Sequence, residues 1–193
     1  MLGLRLPTDP RWTALVNSDL SEVLTDHAWC EQKAASNAIS LIVKHSELSE
    51  LVEALTRIAQ EEMAHFGLVL EKIKARGFTL GPERKDSYVN ELVQFMRKEG
   101  SREERLVDRL LFAAMIEARS CERFKLLSER VGDEDLRAFY RDLMASEADH
   151  YTTFLGFARK YGGRVDVDRR WKDWLEHEAG MMERYGREAT MHG

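Results

Sequence analysis

Four long stretches of this chain, about 19–45, 47–76, 102–131 and 134–161, contain no proline and repeat their apolar residues at helical spacing. The three prolines, Pro7, Pro10 and Pro82, all fall outside them. Proline removes a helix hydrogen bond and clashes with the preceding turn, so without it all four stretches can run as continuous helices. A helix of about 30 residues is about 45 Å long. Amphipathic elements of that length bury their apolar stripe best against one another, which points to an all-α bundle.

The punctuation supports these limits. Ser18 suits the N-cap of the first long helix and Ser46 that of the second, which Gly77 ends. Ser101 and Glu104 form a capping-box pattern before the third, and Asp133 follows Gly132 to open the fourth. Asp9-Pro10 leads into a short helix near Arg11–Val16, and a shorter amphipathic piece spans about 87–99. After Gly162-Gly163, Asp166 or Asp168 opens a last helix over about 169–186. Short links join the first two long helices and the last two, and a long connection separates the pairs. One long crossover between two helical hairpins is the ferritin-like four-helix-bundle connectivity. The expected organisation is a single domain over 1–193, with the bundle at 18–161 and an additional C-terminal helix at 166–187.

Stepping alternately four and three residues traces the seam of each helix. The second gives Leu51, Leu55, Ile58, Glu62, His65 and Val69; the fourth gives Leu136, Tyr140, Leu143, Glu147, His150, Phe154, Phe157 and Tyr161. The first runs through Leu20, Leu24, His27, Glu31, Ala34, Ala38 and Leu41, and the third through Leu106, Leu110, Ala113, Glu117, Ser120, Phe124, Leu127 and Val131. Every seam carries a glutamate near its middle, and two add a histidine three residues later. The pattern is a glutamate, then Glu-x-x-His, written twice. One Glu-x-x-His is weak evidence; two on seams, each preceded by a seam glutamate, are much stronger.

Four carboxylates gathered in a core would repel and lose their hydration, at several kcal/mol each. Two divalent cations cancel the four charges, and neutral imidazoles fill further coordination positions. Carboxylate with imidazole and no thiolate suits iron or manganese rather than structural zinc. The candidate ligands are Glu31, Glu62, His65, Glu117, Glu147 and His150, and no catalytic group beyond them is singled out. Small seam residues, Ala34, Ala38, Ala113 and Ser120, leave room for oxygen and a substrate or simply allow close packing. His27, one turn before Glu31, reads as a core histidine or a support for that ligand. Glu61 and Glu122 lie off the seams and read as surface residues.

The net charge of −5 and pI near 5.8 announce no polyanion binder, so an RNA contact needs a local basic patch. The best candidate is 159–172, with Arg159, Lys160, Arg164, Arg169, Arg170 and Lys172 and with Trp171 beside Trp174 for stacking; Arg84-Lys85 is a lesser one. The other reading of that segment is a solvated helix end with its tryptophans packed on the bundle. Cys30 and Cys121, with no Cys-x-x-Cys spacing, read as small buried residues in a reducing compartment, and no apolar run suggests a signal peptide or membrane span.

"DHAWCEQKAAS" (26–36), "EEMAHF" (61–66), "LVDRLLFAAMIEARSCERF" (106–124) and "FYRDLMASEADHY" (139–151) together resemble the bacterial tRNA hydroxylases of 2-methylthio-isopentenyladenosine, over about residues 10–160. "IEARSCERF" is the most distinctive piece. The resemblance implies a cytoplasmic, O2-dependent, non-haem di-iron monooxygenase that hydroxylates the isopentenyl group of the modified adenosine in tRNA. It implies two iron ions on the same six residues, a tRNA substrate, dioxygen and an external electron-donor protein, since the chain carries no flavin or Fe–S motif. Two other classes stay open at this point: an iron-storage or peroxide-scavenging protein of the same fold, and a helical interaction module without metal.

Overall fold

A computed structural model describes residues 2–184 and 190–192. Seven helices follow in order: α1 (Trp12–Ser18), α2 (Leu20–Lys44), α3 (Ser49–Ala75), α4 (Ser87–Phe95), α5 (Arg102–Arg130), α6 (Glu134–Tyr161) and α7 (Val167–Met182). Among the described residues there is no strand, and no helix is long and apolar enough to cross a membrane. The C-terminal helix expected to reach 187 ends earlier, at Met182 with Glu183 as its cap; residues 185–189 lie outside the described ones. The chain divides into two compact units, one of α2 and α3 (18–84 with 190–191), the other of α1 and α4–α7 (2–17, 85–184 and 192).

In the α2–α3 unit the cap of α2 is Asp19, whose carboxylate accepts from Glu22 N at 3.0 Å, and Ser18 is instead the last residue of α1. Ser46 does not cap α3. That helix starts at Ser49 after Leu48, with no side-chain cap. Its end follows expectation, because Gly77, at φ 72°, lets Phe78 N donate to Ile73 O at 3.1 Å while Gly77 N donates to Lys74 O at 3.0 Å. This left-handed closure satisfies carbonyls the helix would otherwise leave open. The seam residues Leu51, Leu55, Ile58 and Val69 of α3 and Leu24, Ala38 and Leu41 of α2 are buried. Each large aliphatic side chain so buried contributes about 1.5–3 kcal/mol. The following loop lies back on α2, where Trp29 Nε1 donates to Gly81 O at 3.0 Å.

In the other unit α5 and α6 form the long hairpin. Ser101 and Glu104 make the full capping box on α5, and the Asp133 carboxylate accepts from Leu136 N at 3.1 Å to open α6. Asp166 caps α7 by accepting from Arg169 N at 3.0 Å. The expected 87–99 helix is shorter. It stops at Phe95, because the chain turns extended at Met96 and Arg97 N donates to the buried Asp108 carboxylate at 2.7 Å. Arg170 of α7 adds two bonds to the same carboxylate, at 2.9 and 2.7 Å, and so fixes α7 to α5. The turn between α6 and α7 requires glycine at 162, where a Cβ would sit 2.6 Å from Val167 Cγ2 and 2.8 Å from Ala158 O.

Candidate metal centre

Helical spacing sets the first half of the candidate site. Glu62 and His65, three residues apart on α3, share its buried face, and Glu31 comes from the buried face of α2. These three offer ligand atoms that all lie within 4.8 Å of one another. His65 Nδ1 is 3.4 Å from Glu31 Oε2 and 3.6 Å from Glu62 Oε2. His27, four residues before Glu31 on α2, places Nε2 at 2.6 Å from Glu31 Oε1. It therefore orients a candidate ligand and is more than a core histidine.

The second half repeats the plan in the α4–α7 unit. Glu117 on α5 and the pair Glu147 and His150 on α6 also bring ligand atoms within 4.8 Å of one another. None of the six residues is more than 9% exposed. Each half thus holds two carboxylates and one imidazole out of water, which matches the charge and ligand preference of one divalent cation.

The electrostatics show the cost of this arrangement without a cation. Burial, followed by the neighbouring Glu62 carboxylate, raises the Glu31 pKa well above the usual carboxylate range. Burial alone would lower the pKa of His65, but hydrogen bonds to Glu31 and Glu62 outweigh it and push the pKa up to about 10. A cation would replace both held protons. Cys121, one turn beyond Glu117, has its thiol pushed up to about 11 by burial and then by the charges of Glu147 and Glu122.

The other sequence candidates separate clearly. Ala38, Ala113 and Ser120 are buried, while Ala34 is half-buried and Ala35 takes the interior position. Glu61 is exposed as expected, but Glu122 is not a surface residue. It accepts from Thr8 N at 3.0 Å and Thr8 Oγ1 at 2.6 Å and pairs with Arg119 at 2.8 Å. Cys30 is half-buried, not a core residue. Trp171 and Trp174 are buried, so neither can stack on a base; Trp174 packs edge-on against Phe95 at 5.0 Å. Arg170 is spent on Asp108 and Arg159 pairs with Asp168 at 2.8 Å, whereas Arg164 and Arg169 stay exposed beside a cavity of about 370 Å³ that Arg97 also lines.

Sequence reasoning missed the polar network behind "IEARSCERF". Arg119 and Arg123 are fully buried. Arg119 pairs with buried Glu178 of α7 at 2.6 Å and donates to Leu6 O at 2.9 Å, and Tyr88 Oη donates to Glu178 at 3.1 Å. Arg123 lies over the Trp12 ring at 4.5 Å and donates to His192 O at 3.3 Å. The only sequence-level signal was the motif's density of polar groups on a helix otherwise rich in buried residues.

Comparison with known proteins identifies the family. Residues 3–193 match the family described as tRNA-(MS[2]IO[6]A)-hydroxylase (MiaE). A tRNA 2-(methylsulfanyl)-N(6)-isopentenyladenosine(37) hydroxylase of Pseudomonas putida is 40% identical over 166 residues, covering 86% of this chain and 80% of that protein. The enzyme of the same name from Salmonella typhimurium is 28% identical over 238 residues, covering 98% of this chain and 87% of that protein. Among solved structures, "Protein 43 with aldehyde deformylating oxygenase activity from Synechococcus" superposes with a TM-score of 0.89 at 36% identity, over 98% of this chain and 95% of that one. The fold class is therefore the all-α, ferritin-like one expected from the helix pattern, with an added C-terminal helix. By the extent of the match and the identity to its curated members, the chain belongs to the tRNA-(MS[2]IO[6]A)-hydroxylase family.

Proposed function

We propose that this chain hydroxylates the isopentenyl group of 2-methylthio-isopentenyladenosine in tRNA, using dioxygen and two iron ions. The observation that carries the proposal is the family match over residues 3–193, joined to two buried half-sites of equal composition. Glu31, Glu62 and His65 would hold one metal equivalent and Glu117, Glu147 and His150 the other. When bound, the iron pair supplies the oxygen activation, as cofactor chemistry.

The protein's own residues do the rest. The carboxylates neutralise the cations, and the buried aliphatic rows around them exclude water, which strengthens each charge–ligand interaction. His27 holds Glu31 in one orientation through the 2.6 Å contact. Buried Ala38 and Ala113 keep the adjoining seam positions small. The two electrons come from a separate donor protein. Exposed Arg164 and Arg169 are the best remaining contacts for the phosphate backbone. The proposal places the enzyme in the cytoplasm with its substrate and treats residues 1–193 as a single domain.

Mass spectrometry of digested tRNA tests the proposal. A strain that makes both nucleosides and loses this gene should accumulate the unhydroxylated form, and expression of the wild-type chain, but not Glu147→Ala, should restore the alcohol. An unchanged nucleoside profile refutes the substrate. Purified protein carrying about two irons per chain as a monomer or dimer argues against storage in a cage. Deformylation of an aldehyde, without tRNA hydroxylation, would instead align the chain with its Synechococcus neighbour.

A further inference from the structure

The internal repeat is incomplete in one place. The seam position three residues after the candidate glutamate is histidine on α3 and α6, but on α5 it is Ser120. The structure brings an imidazole to that serine from 72 residues away. His192 Nε2 lies 3.4 Å from Ser120 Oγ, and Nδ1 lies 2.9 Å from Asp86 Oδ2. The ring is 2% exposed and stacks on Tyr88 with centroids 5.4 Å apart, and its backbone carbonyl accepts from Arg123 at 3.3 Å. Asp86 is half-buried, with its side chain 9% exposed, and its other oxygen caps α4 by accepting from Val89 N at 2.9 Å.

These contacts form a row: Asp86, the most exposed of the three residues, then the His192 ring, then Ser120, one helical turn from Glu117. Hydroxylation with dioxygen consumes protons at a site the protein keeps dry. The balance is R–H + O2 + 2 electrons + 2 H⁺ giving R–OH + H2O, with both electrons from the donor protein. We propose that Asp86, His192 and Ser120 are the proton-delivery path to the metal centre, with His192 as its positioning residue. A proton reaching Asp86 passes to Nδ1, the ring releases its Nε2 proton to Ser120 Oγ, and Ser120 gives up its own hydroxyl proton toward Glu117. Tautomerisation of the ring and rotation of the hydroxyl then restore the row. With Asp86 ionised the ring rests with its proton on Nδ1; protonation of Asp86 favours the other tautomer, in which Nδ1 accepts from the acid and Nε2 carries the proton released to Ser120.

The proposal rests on the hydroxylase function above, and its test is chosen to separate the two. In metal-free, ¹⁵N-histidine-labelled full-length protein, His192 should show a protonated, hydrogen-bonded Nδ1 that Asp86→Asn shifts. A free-imidazole spectrum indifferent to Asp86→Asn overturns the path whatever the activity. In the iron-loaded enzyme, His192→Gln should lower kcat about 100-fold or more, the lower end of the range for a lost proton-transfer group, with the KM for tRNA, iron content and Tm retained. Added imidazole should restore turnover to His192→Ala. Ser120→Ala should show the same defect, and Ser120→Thr, which keeps the hydroxyl, should recover it. Unchanged kcat in both His192→Gln and Ser120→Ala, or loss of kcat only in step with lost iron or Tm, refutes the path. Absence of hydroxylation by the wild-type enzyme would refute the function and leave the NMR result to decide the path.

Discussion

The metal-free protein should be made more stable by removing one of its own candidate ligands. Glu31 is buried, faces Glu62 and has its pKa raised well above 4.5, chiefly by burial. A carboxyl whose native pKa exceeds its unfolded value binds protons more tightly when folded. Its contribution is therefore most favourable at low pH and is lost as pH rises from about 4.5 toward the native value. His65 acts in the same sense over a later window, because its stabilising charge is fully present below 6.5 and lost as pH climbs to about 10. Glu31→Gln keeps the shape and a partner for His27 while deleting the charge. In EDTA at pH 8 we expect it to raise unfolding free energy by about 1–3 kcal/mol, the scale of a poorly compensated buried polar group, and by much less at pH 5. Saturating ferrous or manganous ion should reverse the order. A ligand at about 1,000 times its Kd adds about 4 kcal/mol to the wild type, and the variant should lose most of that gain. Urea unfolding at the two pH values, with EDTA and with metal, gives the four numbers. A variant less stable than wild type in EDTA at pH 8, or equally shifted at pH 5 and 8, would refute the argument that these carboxylates are held ready for a cation.

Other consequences follow from the same geometry. Because a cation must displace the protons held on Glu31 and His65, isothermal titration in buffers of different ionisation enthalpy should register one to two protons released at that half-site, and its affinity should rise about tenfold per proton per pH unit between pH 6 and 8. Asp108→Ala strands the Arg170 guanidinium and the Arg97 N–H and should cost about 3–5 kcal/mol, whereas the double change Asp108→Leu with Arg170→Met should cost far less; denaturant midpoints decide. Cys121, with its thiol held near 11 and its sulfur buried, should resist iodoacetamide at pH 8 in the native protein and react in urea, as read by peptide mass.

What the sequence disclosed was what repeats or is local. The capping box at Ser101, the Asp133 cap and the Gly77 stop are written within a few residues, and each is present in the structure. The six candidate ligands were legible for a different reason: each interrupts an apolar row at a position whose neighbours forbid a charge. Ser18 failed as a cap because its neighbour Asp19, equally suitable, takes the position, and Ser46 failed because the loop before α3 runs on to Leu48 and leaves that helix without a side-chain cap. The early stop of α4 could not be read, since its cause is a carboxylate on α5 that takes the Arg97 N–H.

The seam itself shows where periodic reasoning fails. On α6 the four-three stepping holds through Phe154, then names Phe157 and Tyr161, which are half-buried, while Leu155 and Ala158 are buried. A straight α-helix has 3.6 residues per turn against 3.5 for the stepping, so the rows drift by about 20° each heptad. Three heptads from Leu136, the buried face has moved by about one side chain. Glu147 and His150 lie before that drift accumulates, and the candidates on the other helices, Glu31, Glu62 with His65, and Glu117, are central too. A candidate ligand set at the middle of long helices is thus the part of such a bundle that stepping locates best. Arg119 and Arg123 escape the method for the opposite reason. They lie off the α5 seam, on a second buried face that exists only because Thr8, Tyr88 and Glu178 arrive from distant segments to meet them.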